Sequence, residues 1–313
     1  MSAVPVYSEA DVRAALTIHA VIDAVSDAVA REAADQARNI PKTMTTWSPS
    51  SSAHALGAID SEQGLVAFKV WVNTPQGAMA QLSVFDARTG QMLASAEAGT
   101  LGSLRTGAIS GLATQWLSAE DADELAIIGT GRQALRQVEA VRAVRPLRRI
   151  RVWSPNAEHR GVFADQVREA TGLPVDDPQT LGEAVHGAPI VTLVTRASEP
   201  FLRAQDLAPG AHLNAVGAIL PANAEFDAQV LSDAQLVVVD NIDNARLASR
   251  ELREFYGDDW STVRTLGDVV TGKAARTQQP GPTVFKGLGM GLADLAAATA
   301  LLRVMQPERF PSS

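Results

Sequence analysis

The stretch Glu124-Leu-Ala-Ile-Ile-Gly-Thr-Gly-Arg-Gln-Ala134 decides the fold. Its first five residues read as a strand, and a near-continuous apolar run of this kind suits a strand covered on both faces. The chain then passes without interruption through Gly129, Thr130, Gly131, Arg132, Gln133 and Ala134 into a helical pattern that lasts to Val144. This is G-x-G-x-x-A in a strand–turn–helix context. Gly129 permits the tight turn, Gly131 lets a pyrophosphate approach the backbone, and Ala134 is small enough for close helix–strand packing. The helix N-terminus offers N–H groups and the positive end of its dipole to phosphates. All six residues are assigned to a nicotinamide dinucleotide; a tight turn with no ligand is the alternative.

Working outward, strands are expected at Ile150–Trp153, Ile190–Thr195, Leu213–Gly217 and Leu236–Asp240, with helices such as Gln133–Val144 and Arg160–Thr171 between them. Alternating units of this kind predict an α/β fold, a Rossmann-type doubly wound parallel sheet, over residues 119–290. The preceding third reads differently. Ser8 and Thr17 are placed to cap two helices, the second with an apolar stripe Ile18, Val21, Ile22, Val25 and Val29 at helical spacing. Ile40–His54 is rich in Pro, Ser and Thr and reads as loop or irregular strand. Leu65–Asn73, Ala80–Phe85 and Met92–Ala96 read as strands of an antiparallel sheet, and Thr106–Leu117 as a helix. Residues 1–118 therefore form an α+β domain, to which the Ala/Leu helix Leu292–Met305 returns within 291–313.

The strand ending at Trp153 continues Ser154-Pro-Asn156, with no carboxylate where an NAD enzyme holds its ribose 2′-hydroxyl. Ser154 and Asn156 suit a 2′-phosphate and Arg160 follows, so NADP(H) is favoured and NAD(H) remains possible. Arg105 and Thr106 open a helix after Gly99-Thr-Leu-Gly102, which makes them an anion site for a phosphate.

Composition narrows the function. The 313 residues carry a net charge of −8, no cysteine and 5% aromatics. Disulfides, thiol nucleophiles and cysteine zinc sites are excluded, and nucleic acid or an anionic membrane is not an expected partner. The five histidines, at 19, 54, 159, 186 and 212, have no metal spacing, so no metal is expected, and only His54 is kept as a candidate proton donor. The first residues carry no basic and apolar leader and no run is long enough to span a bilayer, which points to a cytoplasmic protein. Lysine stands only at 42, 69, 273 and 286. In Leu65–Asn73 Lys69 shares a strand face with Ala67 and Trp71, and an ammonium there wants an anionic partner; an exposed face is the other reading.

Taken together, Arg105-Thr-Gly-Ala108, the glycine loop, Asn214-Ala-Val-Gly-Ala218 with Pro221 and Glu225, and Thr283-Val-Phe-Lys-Gly-Leu-Gly-Met290 with Asp294 resemble the ornithine cyclodeaminase/mu-crystallin family, in the family's order. The resemblance implies hydride transfer with NAD(P)(H) at a carbon bearing nitrogen and carboxylate. It also implies a homodimer built on the first domain, and a small imino or amino acid as substrate. Carried over residue by residue, it makes Lys69 the catalytic-site lysine that holds the substrate carboxylate. Lys42 stands where the family has a second carboxylate-binding cation, an arginine. Arg105 and Thr106 match the phosphate pair, and Thr195, Val216 and Gly217 match positions along the cofactor. Leu288 and Gly289 match the loop over nicotinamide and substrate.

One departure governs the functional reading. The family's cyclodeaminases and alanine dehydrogenases place an acid/base aspartate after Val-Gly-Ala. Here that position is Ile219, and the family's nearby lysine is Asn223. Glu225 and Asp227 lie beyond the proline and read as structural. Oxidative deamination needs a base for the amine and for water; reduction of a preformed ketimine does not. The expected activity is NAD(P)H-dependent reduction of a cyclic ketimine carboxylate of the pyrroline-2- or piperideine-2-carboxylate type. Alternatives are ornithine or lysine cyclodeamination, a related amino-acid dehydrogenase, or a non-catalytic NADPH-dependent binding protein.

Overall fold

The computed structural model describes residues 4–48 and 50–310; the expectations that touch residues 1–3, 49 and 311–313 lie outside the described residues. The chain divides into two compact units, Met1–Ala108 with Met290–Ser313, and Ile109–Gly289. The division falls inside the helix Gly99–Leu117, ten residues before the 118/119 boundary read from the sequence.

The first unit holds a six-stranded sheet of β1 (Val6–Tyr7), β2 (Ala37–Ser48), β3 (Ser51–Asp60), β4 (Leu65–Thr74), β5 (Gly77–Asp86) and β6 (Met92–Glu97), in the order β1-β6-β5-β4-β3-β2. All pairs are antiparallel except β1 with β6. The helices Glu9–Ala15 and Ile18–Glu32 are capped by Ser8 and Thr17 as expected, and Val21, Ile22, Val25 and Val29 are all buried. Of the two readings of Ile40–His54, loop or irregular strand, the second holds: β2 and β3 form a long, irregular hairpin through it. Its threonines are β-branched and suit a strand, while register breaks between Ile40 and Thr43 and between Thr46 and Ser48 supply the irregularity that Pro41 demands. One face of β4, with Leu65, Ala67 and Lys69, is buried, and the other exposes Phe68, Val70 and Val72.

The second unit is a parallel sheet of β7 (Glu124–Ile128), β8 (Arg149–Trp153), β9 (Val175–Asp176), β10 (Ile190–Leu193), β11 (His212–Ala215), β12 (Leu236–Val239), β13 (Arg264–Thr265) and β14 (Thr283–Lys286), in the order β13-β12-β14-β11-β10-β7-β8-β9. Successive residues of β7 enter opposite cores. Ala126 and Ile128 pack with Val191, Leu213 and Val237, whereas Leu125 and Ile127 pack with Val138, Ile150 and Val167. Coverage on both faces is why these strands lack a polar alternation. The strand β14 was not expected from the sequence, yet it lies between β11 and β12. No helix among the described residues is long and apolar enough to cross a membrane, and no group of three or more His, Asp or Glu residues among them could hold a metal.

Candidate active site

In the second unit the glycine loop has the backbone the motif requires. Gly129 has φ of 113°, and a Cβ there would stand 2.7 Å from the Val194 carbonyl oxygen. A Cβ at Gly131 would meet nothing within 4 Å, so the backbone faces open space as phosphate approach requires. Ala134 is fully buried and begins the helix Ala134–Val144, whose N-cap residue Gln133 makes no side-chain capping hydrogen bond. Thr130, Arg132 and Gln133 line the turn between them. These features fit a dinucleotide pyrophosphate.

The expected 2′-phosphate residues form one hydrogen-bonded turn after β8. The Ser154 hydroxyl donates to the Asn156 carbonyl at 3.1 Å, and Asn156 Oδ1 caps the helix Ala157–Thr171 by accepting the His159 N–H at 2.9 Å. Arg160 is buried. Its guanidinium donates to the Ser154 carbonyl at 2.9 Å and to Gln179 at 3.2 Å, so it braces the turn from below.

Glu225 organises two further loops. Its Oε1 accepts from the Thr195 N–H at 2.7 Å and the Thr195 hydroxyl at 2.8 Å, and its Oε2 from the N–H groups of Gly217 and Ala218 at 2.9 and 3.0 Å. A Cβ at Gly217 would stand 2.2 Å from both the N and O of Thr195, so only glycine fits. The Val216 N–H is held by the Leu193 carbonyl at 2.9 Å. Asp240 performs the same service for the last loop: its Oδ2 accepts the N–H groups of Leu288 and Gly289 at 2.9 and 2.6 Å. Leu288 is buried there. Beneath these loops Lys286 pairs with Glu251 at 3.0 Å, and the same Glu251 oxygen accepts the Glu225 N–H at 3.1 Å. Sequence reasoning missed Asp240 and Glu251, which touch only backbone and neighbouring side chains. Ile219 and Leu220 are exposed apolar residues on the loop past Gly217.

In the first unit Lys69 is 5% exposed, which decides for the buried face. Leu56 of β3 and Leu82 of β5 flank it in register. Its Nζ meets Asp294 Oδ1 at 2.7 Å, and Arg105 Nε meets the same oxygen at 3.0 Å. Burial, then the Arg105 guanidinium, push the Lys69 ammonium down to about 8 against the opposing pull of Asp294. Trp71, two residues on, has the Lys69 and Lys42 ammonium groups 5.2 and 5.6 Å from its ring centre and His54 stacked on it at 4.5 Å. His54 lies on β3, not in a loop, and accepts or donates at Nε2 with Ser52 at 2.8 Å. Burial, then Lys42, push its pKa down. His212 is buried in the second unit and pushed to about 3, chiefly by burial, which makes it a packing residue.

The helix start expected at Arg105 and Thr106 is corrected. Their helix begins at Gly99, so Arg105 sits in its second turn. The helix N-terminus already has its anion, because the Glu9 carboxylate accepts the N–H groups of Gly99 and Thr100 at 2.7 Å each. Arg105 is turned to Asp294, and the Thr106 hydroxyl to the Gly102 carbonyl at 2.8 Å. Asp294 was noted only as part of a motif. The signal was present: it is the one carboxylate in the apolar helix Gly291–Met305, as Lys69 is the one ammonium in its apolar strand.

Comparison with known proteins identifies relatives of the whole chain. The sequence model of the ornithine cyclodeaminase/mu-crystallin family matches residues 4–306. A Delta(1)-pyrroline-2-carboxylate reductase of Bacillus cereus is 34% identical over 221 residues, 69% of this chain and 68% of its own. The ketimine reductase mu-crystallin of Rattus norvegicus is 34% identical over 220 residues, 70% of this chain and 67% of its own. The fold is that of a Thermococcus litoralis Delta(1)-pyrroline-2-carboxylate reductase solved with NADH and L-proline, with a TM-score of 0.91 at 23% identity over 99% of both chains.

Proposed function

The chain belongs to the ornithine cyclodeaminase/mu-crystallin family, and on that premise we propose that it is an NAD(P)H-dependent oxidoreductase that reduces the C=N bond of a cyclic ketimine carboxylate to the cyclic amino acid. The observation that carries this reading is the cationic cluster of buried Lys69 with half-buried Arg105 and Lys42 around Trp71 and Asp294, combined with an apolar Ile219 where deamination would need its acid/base.

The residues divide the work. Lys69 and Arg105 hold the substrate carboxylate, and Lys42 adds a third positive charge without an arginine's bidentate fork. Arg105 is thereby moved from the phosphate role to the carboxylate role, since its guanidinium stands on the Lys69–Asp294 pair. The glycine loop and the helix Ala134–Val144 bind the pyrophosphate. Thr195, Val216, Gly217, Leu288 and Gly289 shape the nicotinamide end, fixed by Glu225 and Asp240. When bound, the reduced nicotinamide supplies the hydride. The ketimine enters protonated, so fixing its carboxylate orients the electrophilic carbon and no side chain need donate a proton before hydride arrives.

NADP(H) is favoured, because Ser154 leaves the 2′ position without a carboxylate and the Arg160 guanidinium braces that turn. The test is oxidation of NADPH and NADH with pyrroline-2-carboxylate and piperideine-2-carboxylate. Turnover is expected with at least one ring, and NADPH should bind no more weakly than NADH. Ser154→Asp should shift the preference towards NADH through like-charge repulsion. Absence of turnover with every cyclic ketimine would overturn the reading.

The assembly follows from the outer face of β4. Phe68, Val70 and Val72 are 40, 49 and 44% exposed, and Met79, opposite Val72, is 77% exposed. A contiguous apolar face on a sheet marks an interaction surface, and we assign it to a second copy of the chain. Light scattering should read a dimer, and Val70→Glu should give monomers; a monomeric unmodified protein would refute this.

A further inference from the structure

The Asp294 carboxylate uses only half of its capacity. Its Oδ1 accepts from both Lys69 and Arg105, at 2.7 and 3.0 Å. Its Oδ2 is buried and has no hydrogen-bond partner among the described residues. An ionised carboxylate accepts at both oxygens, and a buried acceptor left unmade is unfavourable. The exception lies against the two cations assigned to the substrate carboxylate, in the unit that also carries Lys42 and Trp71. In this cluster Lys69, Arg105 and Lys42 only donate and Trp71 donates only at its indole nitrogen, which leaves two open acceptors among the described side chains, Asp294 Oδ2 and His54 Nδ1; of the two only the Asp294 carboxylate touches the cations assigned to the substrate carboxylate.

A protonated cyclic ketimine carboxylate is a bifunctional ligand. Its carboxylate carries negative charge, and its ring nitrogen, one carbon away, carries an N–H and positive charge. A site made only of cations would repel the second group. We propose that Asp294 is the group that reads the substrate nitrogen: Oδ2 accepts the iminium N–H while Oδ1 keeps Lys69 and Arg105 side by side for the carboxylate. The inference rests on the ketimine reductase reading and gives that site its nitrogen-recognition element.

The chemistry balances. Hydride adds to the ring carbon of the iminium, the C=N π pair becomes a lone pair on nitrogen, and the proton held by Asp294 stays on nitrogen. The product is a neutral secondary amine, which takes up a proton from water as it leaves. Asp294 thus holds a proton in place without transferring it. This answers the absence of a carboxylate at position 219: a reductase needs an acceptor for the N–H, whereas a deaminase needs a base that removes protons and activates water. The same oxygen discriminates against 2-oxo acids and ring ethers, which offer no N–H and would set a lone pair against a buried carboxylate.

Two planar five-membered acids that differ at one atom test this. Pyrrole-2-carboxylate presents an N–H where furan-2-carboxylate presents a ring oxygen. Their dissociation constants are measured by calorimetry on the full chain, with and without NADP⁺. The unmodified protein should favour the pyrrole by about tenfold or more, the worth of a hydrogen bond to a charged acceptor. In Asp294→Asn, whose amide can turn either its oxygen or its NH₂ to the ring, that ratio should fall to within about threefold. A lesion that merely loosens the site would weaken both acids together and leave the ratio intact. Equal binding of the two acids to the unmodified protein overturns the inference and leaves the reductase reading standing. A ratio in Asp294→Asn equal to that of the unmodified protein overturns it as well. If that variant does not fold, the ratio in the unmodified protein decides. Failure of both acids to bind overturns the inference and the reductase reading together.

Discussion

Replacing Lys69 by alanine is expected to lower kcat/KM for a ketimine carboxylate by about 2–5 kcal/mol, roughly 30- to 4,000-fold, the range for truncating one partner of a buried hydrogen-bonded charge pair. The loss should fall mainly on KM, because a carboxylate is present in ground and transition states alike. Dinucleotide affinity should stay close to normal, since the glycine loop is part of the other unit. Asp294 is not stranded by the change, because Arg105 remains 3.0 Å from its Oδ1. Melting temperature therefore serves as the control for folding. The same lysine gives a pH signature. Burial and Arg105 lower it from the usual lysine range to about 8. The charged form binds the anion, so binding is complete below pH 8 and is lost as pH rises through that value. The fall should appear in kcat/KM, which reports the free enzyme. Lys69→Arg keeps the charge at every accessible pH and should remove the lysine's share of this alkaline fall, leaving only the share due to the imine's own proton, whatever its cost in geometry. Near-normal turnover in Lys69→Ala would show that the substrate carboxylate is held elsewhere.

The parts of this protein that were legible in its sequence are those where one physical cause acts alone. Glu124–Ile128 and the loop after it are local: an apolar strand, a glycine that must take positive φ at 129, and a small residue at 134. Ser8 and Thr17 cap their helices by contacts three residues away, so their effect is written in the nearby sequence. The hairpin of β2 and β3 was left between loop and irregular strand because Pro41 and the serines around residue 50 are turn formers, and cross-strand pairing to β4 decides for strand. The strand β14 was hidden for a related reason. Four residues between a Pro/Gly run and a glycine loop carry too short a pattern, and its burial is set by β11 and β12 on either side.

The site shows the same division. Lys69 could be singled out because an ammonium in an apolar strand needs a partner, but the partner itself is 225 residues away. Asp294 met the identical criterion in its helix, and pairing the two anomalies would have found it. At Arg105 the helix was started too late. Glycines at 99 and 102 suggested a loop, whereas the Glu9 carboxylate caps Gly99 and Thr100 from 90 residues upstream. Once that terminus is occupied, the arginine is left to serve the Lys69–Asp294 pair. Ser154 and Arg160 were rightly grouped, yet their bond runs from the Arg160 side chain to the Ser154 backbone, a contact that residue types do not disclose.

Ornithine and lysine should release negligible ammonia with this protein, under conditions in which a cyclic ketimine carboxylate is reduced efficiently. Cyclodeamination needs a group that takes a proton from the amine and another from attacking water, and losing such a group typically costs about 10²–10⁴ in rate. Ile219 has no titratable atom, so no environment can tune it into that role. Its side chain is 40% exposed beside the equally apolar Leu220. The nearest acid in sequence, Glu225, is fully buried and spends both oxygens on the N–H groups of Thr195, Gly217 and Ala218 and on the Thr195 hydroxyl. Withdrawing it to serve as a base would release two loops at once. Asp294 spends its Oδ1 on Lys69 and Arg105, and in the reductase reading its other oxygen holds the nitrogen's proton in place and removes none. Reduction escapes all of these demands because the iminium brings its own proton. It should therefore slow as pH rises and the imine becomes neutral, in step with the loss of charge on Lys69. Ile219→Asp restores a carboxylate after Val216-Gly-Ala, and any gain of ammonia release should appear in that variant alone. Rapid ammonia release from ornithine by the unmodified protein would sink the reductase reading and direct attention to His54, the one imidazole in the Lys42–Trp71 cluster.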